Sequence, residues 1–468
     1  MTDFDVLVIG AGALGSPYFN FIAKYTDLEV VLLENNYGPG LGNSFRNSNS
    51  QTVHIGNETT NYSVEKTKEA KIASGMILSK VSQLPEDLAG EILHRSKVMV
   101  LGVGKNEILE LDRRYEWTYP MYPGFKKMTG KELKTVRPYL MEGRDPDEKV
   151  LALYDENGHA ADFGLFSEVL VREGEEYGGE FKPHHTVKHI YRENGNFRVI
   201  TDRGEFTARY VDVCAGTRSL QLCHQMGYGK DKFMALLGGH FYNIVDFFDV
   251  KKDDDALDKT YGVQKKGIPF AKPHVDKRFD GSWVIGPTVN PMLSPEKNNR
   301  GSSLEYIRGL DIDLDTIKAI IGTFTDKKMV KNDDGRYVDE GMGGEMRKII
   351  ASNLVYSLPI IGKYSFLKVA RNIVPSLKYD NLKYSKNWGI RPQIISKPER
   401  KPVLGEVKVV IEDGITFNMA PSPGATNGPY NARQDLINTA RYLKAGIDFK
   451  RFNKDFPSAP INPVLLID

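Results

Sequence analysis

Apolar and polar positions follow two different periods along this chain, and the first forty residues show both. Val6-Leu7-Val8-Ile9 is a run of four apolar residues, read as a strand buried on both faces. An apolar stretch with helical character follows from Gly15. A second apolar run, Val30-Val31-Leu32-Leu33, then ends at Glu34. Strand, glycine turn, helix, strand and acid come in that order. Residues 35–66 lose all periodicity and are rich in Asn, Ser and Gly, which predicts a long loop.

Beyond it the pattern predicts a helix over 63–85, a strand over 97–104, mostly helix over 105–145 and a short strand over 149–154. Another helix should open at Ala161-Asp162-Phe163-Gly164, with Asp162 as its N-cap. Residues 186–216 alternate as a three-stranded meander, with Asn194-Gly195 and Arg203-Gly204 as hairpin turns. Residues 236–290 read as antiparallel strands, with Asp280-Gly281 as a turn. Residues 300–385 read as mainly helical. In 387–443, strands lead to a Pro- and Gly-rich loop and a helix opening near Tyr430.

The glycine turn carries the first chemistry. In Gly10-Ala11-Gly12-Ala13-Leu14-Gly15, Gly10 permits a tight turn and Gly12 lets backbone amides approach a pyrophosphate. Gly15 lets the helix lie close to the strand, and Leu14 belongs to the same turn. The phosphates then meet the positive end of the helix dipole. Glu34, 24 residues after Gly10, stands where a carboxylate accepts hydrogen bonds from a ribose. A dinucleotide follows. FAD is favoured over NAD because the motif opens the chain and because the meander ends in an apolar strand followed by Ala215-Gly216, as in flavoproteins with two dinucleotide-fold motifs. The loop after Glu34 can fold over the cofactor, where Asn47, Ser50 and Gln51 offer hydrogen bonds and Arg46 a positive charge. Gly424, Ala425 and Thr426 lie in the loop before the helix expected near Tyr430, whose dipole can face the flavin.

The expected fold is therefore α/β, with some α+β character. A three-layer ββα nucleotide fold binds FAD, and an antiparallel-sheet domain covers it. The expected division is FAD-binding parts at 1–85, 161–230 and 386–468, a cap segment at 86–160 and a substrate domain at 231–385.

Bulk composition mainly excludes. The chain has 468 residues, 40% hydrophobic and 26% charged, with a net charge of +2, which argues against nucleic-acid binding. Two cysteines, Cys214 and Cys223, give neither a disulfide framework nor a metal motif and fit a reducing compartment. Met1-Thr2-Asp3 leads straight into the first strand, so no signal peptide is expected. No apolar run is long enough to span a bilayer. The segment 348–378 mixes aliphatic, aromatic and Lys residues without an acid, which fits a membrane interface.

Three motifs bring in a family. Arg391-Pro392-Gln393-Ile394-Ile395, Pro421-Ser422-Pro423-Gly424-Ala425-Thr426, and Pro273-His274-Val275-Asp276-Lys277-Arg278 leading to Gly286-Pro287 resemble segments of the malate:quinone oxidoreductases. With the N-terminal fingerprint they span nearly the whole chain. His240 departs from the glutamine common in that family. The resemblance implies an FAD-dependent oxidoreductase of the tricarboxylic acid cycle. It would oxidise (S)-malate to oxaloacetate and pass electrons to a membrane quinone, as a cytoplasmic protein peripheral on the inner face of the cell membrane. Such chemistry needs a base, for which His274 is expected with His54 in reserve. It also needs cations for two carboxylates. Arg391 and Arg278 are expected as clamps, with Lys272 and His240 beside them. Strand alternation should point Lys272, His274, Asp276 and Arg278 to one face. The alternative is a related flavin 2-hydroxyglutarate or amino-acid oxidase or dehydrogenase.

Overall fold

The computed structural model describes residues 2–56, 63–248, 257–264, 268, 272–296, 303, 306, 312–327, 329–331, 337–339, 341–358, 360–411, 413–419 and 424–466. Pro421-Ser422-Pro423 of the last motif lies outside them.

The apolar runs of the N-terminus build the first sheet. Strands Ile415–Met419, Glu205–Val213, Thr2–Ile9, Val30–Leu33 and Glu180–Lys182 lie side by side in that order, all parallel. The central strands are buried on two faces, while the edge strand Glu180–Lys182 is partly exposed, and alternation decides which residue goes where. Val6 and Val8 pack under Tyr18, Phe19 and Ile22 of the helix Gly15–Tyr25, and under Leu436 and Ala440 of the helix Gly424–Leu443. Leu7 and Ile9 face the other way, onto Ile190, Phe197, Val199 and Phe206 of the meander. Helices, parallel sheet and meander make the three expected layers. The fold class is α/β.

A second, larger sheet follows the order Lys401–Pro402, Leu382–Ser396, Lys232–Ile244, Trp283–Gly286, His274–Lys277, Leu257–Gly262, Leu93–Val103, Val150–Ala161, Thr52–Val53. Its pairings along this path are antiparallel except that between Leu257–Gly262 and Leu93–Val103. One face of it carries Val275, Ile285, Trp283 and Tyr242, covered by Phe366, Leu367 and Ala370 of the helix Ile361–Ala370. The opposite face carries Val98, Val100, Leu153 and Tyr261, packed against Leu111 of the helix Gly104–Thr118, with the polar Lys259, His274 and Asp276 beside them.

The structure corrects three sequence expectations. The strand expected over 149–154 runs from Val150 to Ala161. Asp155-Glu156-Asn157-Gly158 has turn composition, but the segment pairs with Leu93–Val103 across a register shift between Ser96 and Val98. Only Gly fits at 158, because a Cβ there would come 2.4 Å from Val98 Cγ2. The helix expected near Tyr430 opens at Gly424, six residues earlier. Its Gly428 lies directly against the carbonyl of Ala13, a tertiary contact that local propensity cannot signal. Within 105–145 the helices are Gly104–Thr118 and Gly130–Val136, separated by the strand Lys126–Thr129, which joins the second sheet.

Candidate active site

The glycine turn is shaped by close backbone contacts. Gly10 has φ +102°, and a Cβ there would lie 2.5 Å from the carbonyl oxygen of Cys214. A Cβ on Gly15 would lie 1.9 Å from the carbonyl oxygen of Gly10. The helix beginning at Gly15 has no side-chain cap at Leu14, so its dipole end is left for a ligand. Glu34 is buried beside the turn. One carboxylate oxygen accepts the amide of Ala11 at 2.7 Å, and the other accepts the backbone and side-chain amides of Asn36. Ala215-Gly216 follows directly, with Cys214 N–H donating to Ile9. The C-terminal helix brings Gly424, Ala425 and Thr426 to the same place. Its Gly428 touches Ala13, so two helix N-termini converge on one turn. These residues fit the pyrophosphate of a dinucleotide.

The loop after Glu34 ties this turn to the second sheet. Ser44 Oγ accepts the amide of Ala13 at 2.9 Å. The carbonyls of Asn49 and Ser50 accept from Arg278 and Lys259 at 2.8 and 2.6 Å. Gln51, at φ +55°, spends its side chain on the carbonyls of Ser44 and Phe45 and on the amide of Phe163. Ser50 Oγ accepts from Thr52. Asn47 is exposed. Arg46 pairs with the N-cap Asp162 at 2.7 Å. His54 Nδ1 lies 3.0 Å from Thr426 Oγ1, which donates to the carbonyl of Thr52.

Over this loop stands a charged cluster centred on Asp276, which is wholly buried. Its Oδ2 lies 3.4 Å from His274 Nε2, 3.6 Å from Lys259 Nζ and 3.7 Å from Arg278. Burial alone would raise this carboxyl. Lys259, His274 and Arg278 outweigh it and hold it well below the usual carboxylate range. Among the described residues, neither imidazole nitrogen of His274 has a hydrogen-bond partner, and Nε of Arg278 has none. His274 lies between the rings of Tyr261, 4.6 Å away, and Phe241, 5.8 Å away. His54 is pushed down to about 3, first by burial and then by Lys259, with Arg391 and His274 adding to it. It is therefore neutral at ordinary pH.

His274, Asp276 and Arg278 share a face as strand alternation predicts, but two expected neighbours do not join them. Lys272 lies before the strand and is held in an ion pair with Glu107 at the surface. His240 faces away: its ring stacks on Trp388, its register partner, 5.3 Å off, while the adjacent Phe241 turns toward His274 and Arg278. Arg391 lies on the same face of its strand as Gly389. A Cβ on Gly389 would overlap the carbonyl oxygen of Ser48, so that face looks onto the loop. Sequence reading missed Lys259. Its signal was a lysine two residues before Tyr261 on a short strand, a position that burial makes costly unless a carboxylate lies opposite.

A family model described as FAD dependent oxidoreductase matches residues 5–434. The malate:quinone oxidoreductase of Helicobacter pylori strain 26695 is 32% identical over 97% of this chain and 98% of its own length. A probable malate:quinone oxidoreductase of Campylobacter jejuni is 31% identical over 97% and 99%. Among solved structures, the FAD-bound L-α-glycerophosphate oxidase of Mycoplasma pneumoniae superposes with a TM-score of 0.61 at 18% identity, covering 96% of each chain. The glycine oxidase of Geobacillus kaustophilus gives 0.61 at 14% identity, over 94% and 95%. These two establish likeness of fold alone.

Proposed function

Since the chain belongs to the malate:quinone oxidoreductase family of FAD-dependent oxidoreductases, we propose that it oxidises (S)-malate to oxaloacetate and delivers the electrons to a membrane quinone. The observation that carries this reading is the cationic surroundings of Asp276. Among the described residues, Lys259 and Arg278 lie 3.6 and 3.7 Å from its Oδ2. Arg391 acts together with Lys259 on the neighbouring His54. Cations so placed suit the two carboxylates of a dicarboxylate. Bound FAD supplies the acceptor for the hydride that leaves the 2-carbon.

The chain's own residues do the rest. Arg278 keeps its position by donating to Asn49 and turns the remaining guanidinium nitrogens toward the cluster. Arg391 offers a second planar clamp. His274 takes the hydroxyl proton, and Asp276, 3.4 Å from Nε2, steadies the resulting imidazolium. His54 is too weak a base for that task at a pKa of about 3, and it serves instead to anchor Thr426. His274→Asn should lower kcat about a hundredfold to ten-thousandfold with FAD content unchanged. Unaltered turnover by malate-dependent reduction of a quinone analogue would remove His274 from the mechanism.

A quinone acceptor requires approach to a bilayer. Among the described residues no helix is long and apolar enough to cross one. The helices Leu314–Thr325, Gly343–Tyr356 and Ile361–Ala370 pack consecutively and expose Ile317, Ile321, Leu354, Ile361 and Tyr364, with Leu358 exposed between the last two helices. Lys348 and Lys368 are exposed on the same helices. An apolar patch with lysines beside it suits seating on the inner face of the cell membrane from the cytoplasm. Pro359, within the segment expected at the interface, lies outside the described residues.

A further inference from the structure

Lys259 is among the largest fully buried side chains, with 1% of its surface exposed. It stands directly opposite Asp276 in the strand register. Its Nζ donates to the carbonyl of Ser50 at 2.6 Å and lies 3.6 Å from Asp276 Oδ2, the oxygen that His274 Nε2 approaches to 3.4 Å. Ammonium and imidazole thus address one carboxylate oxygen from two sides.

We propose that Lys259 is a positioning residue for the oxidation: it shares Asp276 with His274, so that the carboxylate orients the imidazole without drawing a proton onto it, and it fastens the 44–54 loop beneath the substrate. This rests on His274 being the base.

A carboxylate beside a histidine stabilises the imidazolium. Left alone with His274, Asp276 would favour a histidine protonated before substrate arrives, which cannot accept the hydroxyl proton. A buried ammonium on the same oxygen opposes that. The groups facing His274 are Asp276 and Arg278 on its own side, Lys259 and Tyr261 from the neighbouring strand, Phe241 from the strand beyond, and His54 across the loop, which Arg391 in turn acts on. Asp276 is the one acid among them. Lys259 is also the first charged group that depresses His54. Ammonium and imidazole are at most about 7 Å apart. At that range, with an effective dielectric near 20, one charge moves a titration by about one pH unit or more.

The test uses the FAD-loaded enzyme with isotope-labelled histidine, the His274 and His54 signals being assigned from His274→Asn and His54→Asn. In Lys259→Met both imidazoles should titrate about one pH unit higher than in the parent. The acid limb of kcat/KM should move up with His274. Lys259→Arg keeps the charge and should leave both titrations near the parent. Unchanged titrations in Lys259→Met, or equal shifts in the Met and Arg variants, would overturn the proposal, the second because packing alone would then explain the effect. If the His274 signal moves while the acid limb stays and His274→Asn retains turnover, the base assignment falls and the sharing of Asp276 stands.

Discussion

Arg391 and Gly389 show how much two residues of one strand face can be asked to do. Both look onto the loop that runs from the cofactor turn. Arg391→Met removes a planar cation while keeping much of the side chain's length. It should raise KM for malate roughly ten- to hundredfold, the worth of a charge-assisted hydrogen bond, with FAD binding preserved. Steady-state kinetics against malate check this. Gly389→Ala places a methyl inside the carbonyl of Ser48. The loop must shift, taking Asn49 and Ser50 from Arg278 and Lys259, and the substitution should cost about 1–3 kcal/mol of stability together with activity. Thermal unfolding and kcat/KM measured on one preparation report both losses. Much at this scale was legible beforehand. The glycine turn, Glu34, His274 and Arg278 came from motif and alternation. Lys259 did not, because a lone lysine on a strand has no pattern until its partner strand is known.

At the scale of elements, a buried polar seam joins the parallel sheet to the C-terminal helix. Asp212, two residues before Cys214, accepts from Cys214 Sγ at 3.2 Å and from Asn418 at 2.7 Å. Asn418 also donates to Asp435, which pairs with Lys408 at 2.7 Å. Two buried carboxyls and one lysine cannot all be comfortably charged. Burial, and then Asp435, push Asp212 well above the usual carboxylate range. A carboxyl raised in the folded state stabilises fully below its unfolded value, near 4, and loses that contribution as pH climbs toward the folded value. Asp212→Asn imitates the protonated acid and keeps an oxygen for both donors. Its Tm should therefore decline less between pH 5 and pH 9 than that of the parent, as scanning calorimetry across that range would show. A steeper decline would mean that Asp212 works as an anion. The meander was readable at this scale from its turns. The extra length of Val150–Ala161 and the early start of the helix Gly424–Leu443 were not, since each depends on a neighbour distant in sequence.

For the whole molecule, two sheets interleave along the chain, with the parallel one drawing on both termini. Apart from both sheets' buried faces, three helices present apolar side chains to the outside. Ile317→Glu combined with Ile321→Glu should weaken co-sedimentation with vesicles of bacterial-type lipid and lower quinone-dependent turnover, while reduction of a water-soluble dye stays near normal. Equal loss with quinone and dye would point to misfolding rather than to the membrane. The amino-acid sequence by itself determined the nucleotide fold and its cofactor, because a glycine turn between two buried strands is a local pattern with one chemical use. It also placed His274, Asp276 and Arg278 on one face, since a strand repeats every two residues. Only the tertiary structure decided that Lys259 stands opposite Asp276, that Lys272 is spent on Glu107, and that His240 turns to Trp388. Strand pairing and side-chain competition set those outcomes, and both act between residues that the sequence keeps far apart.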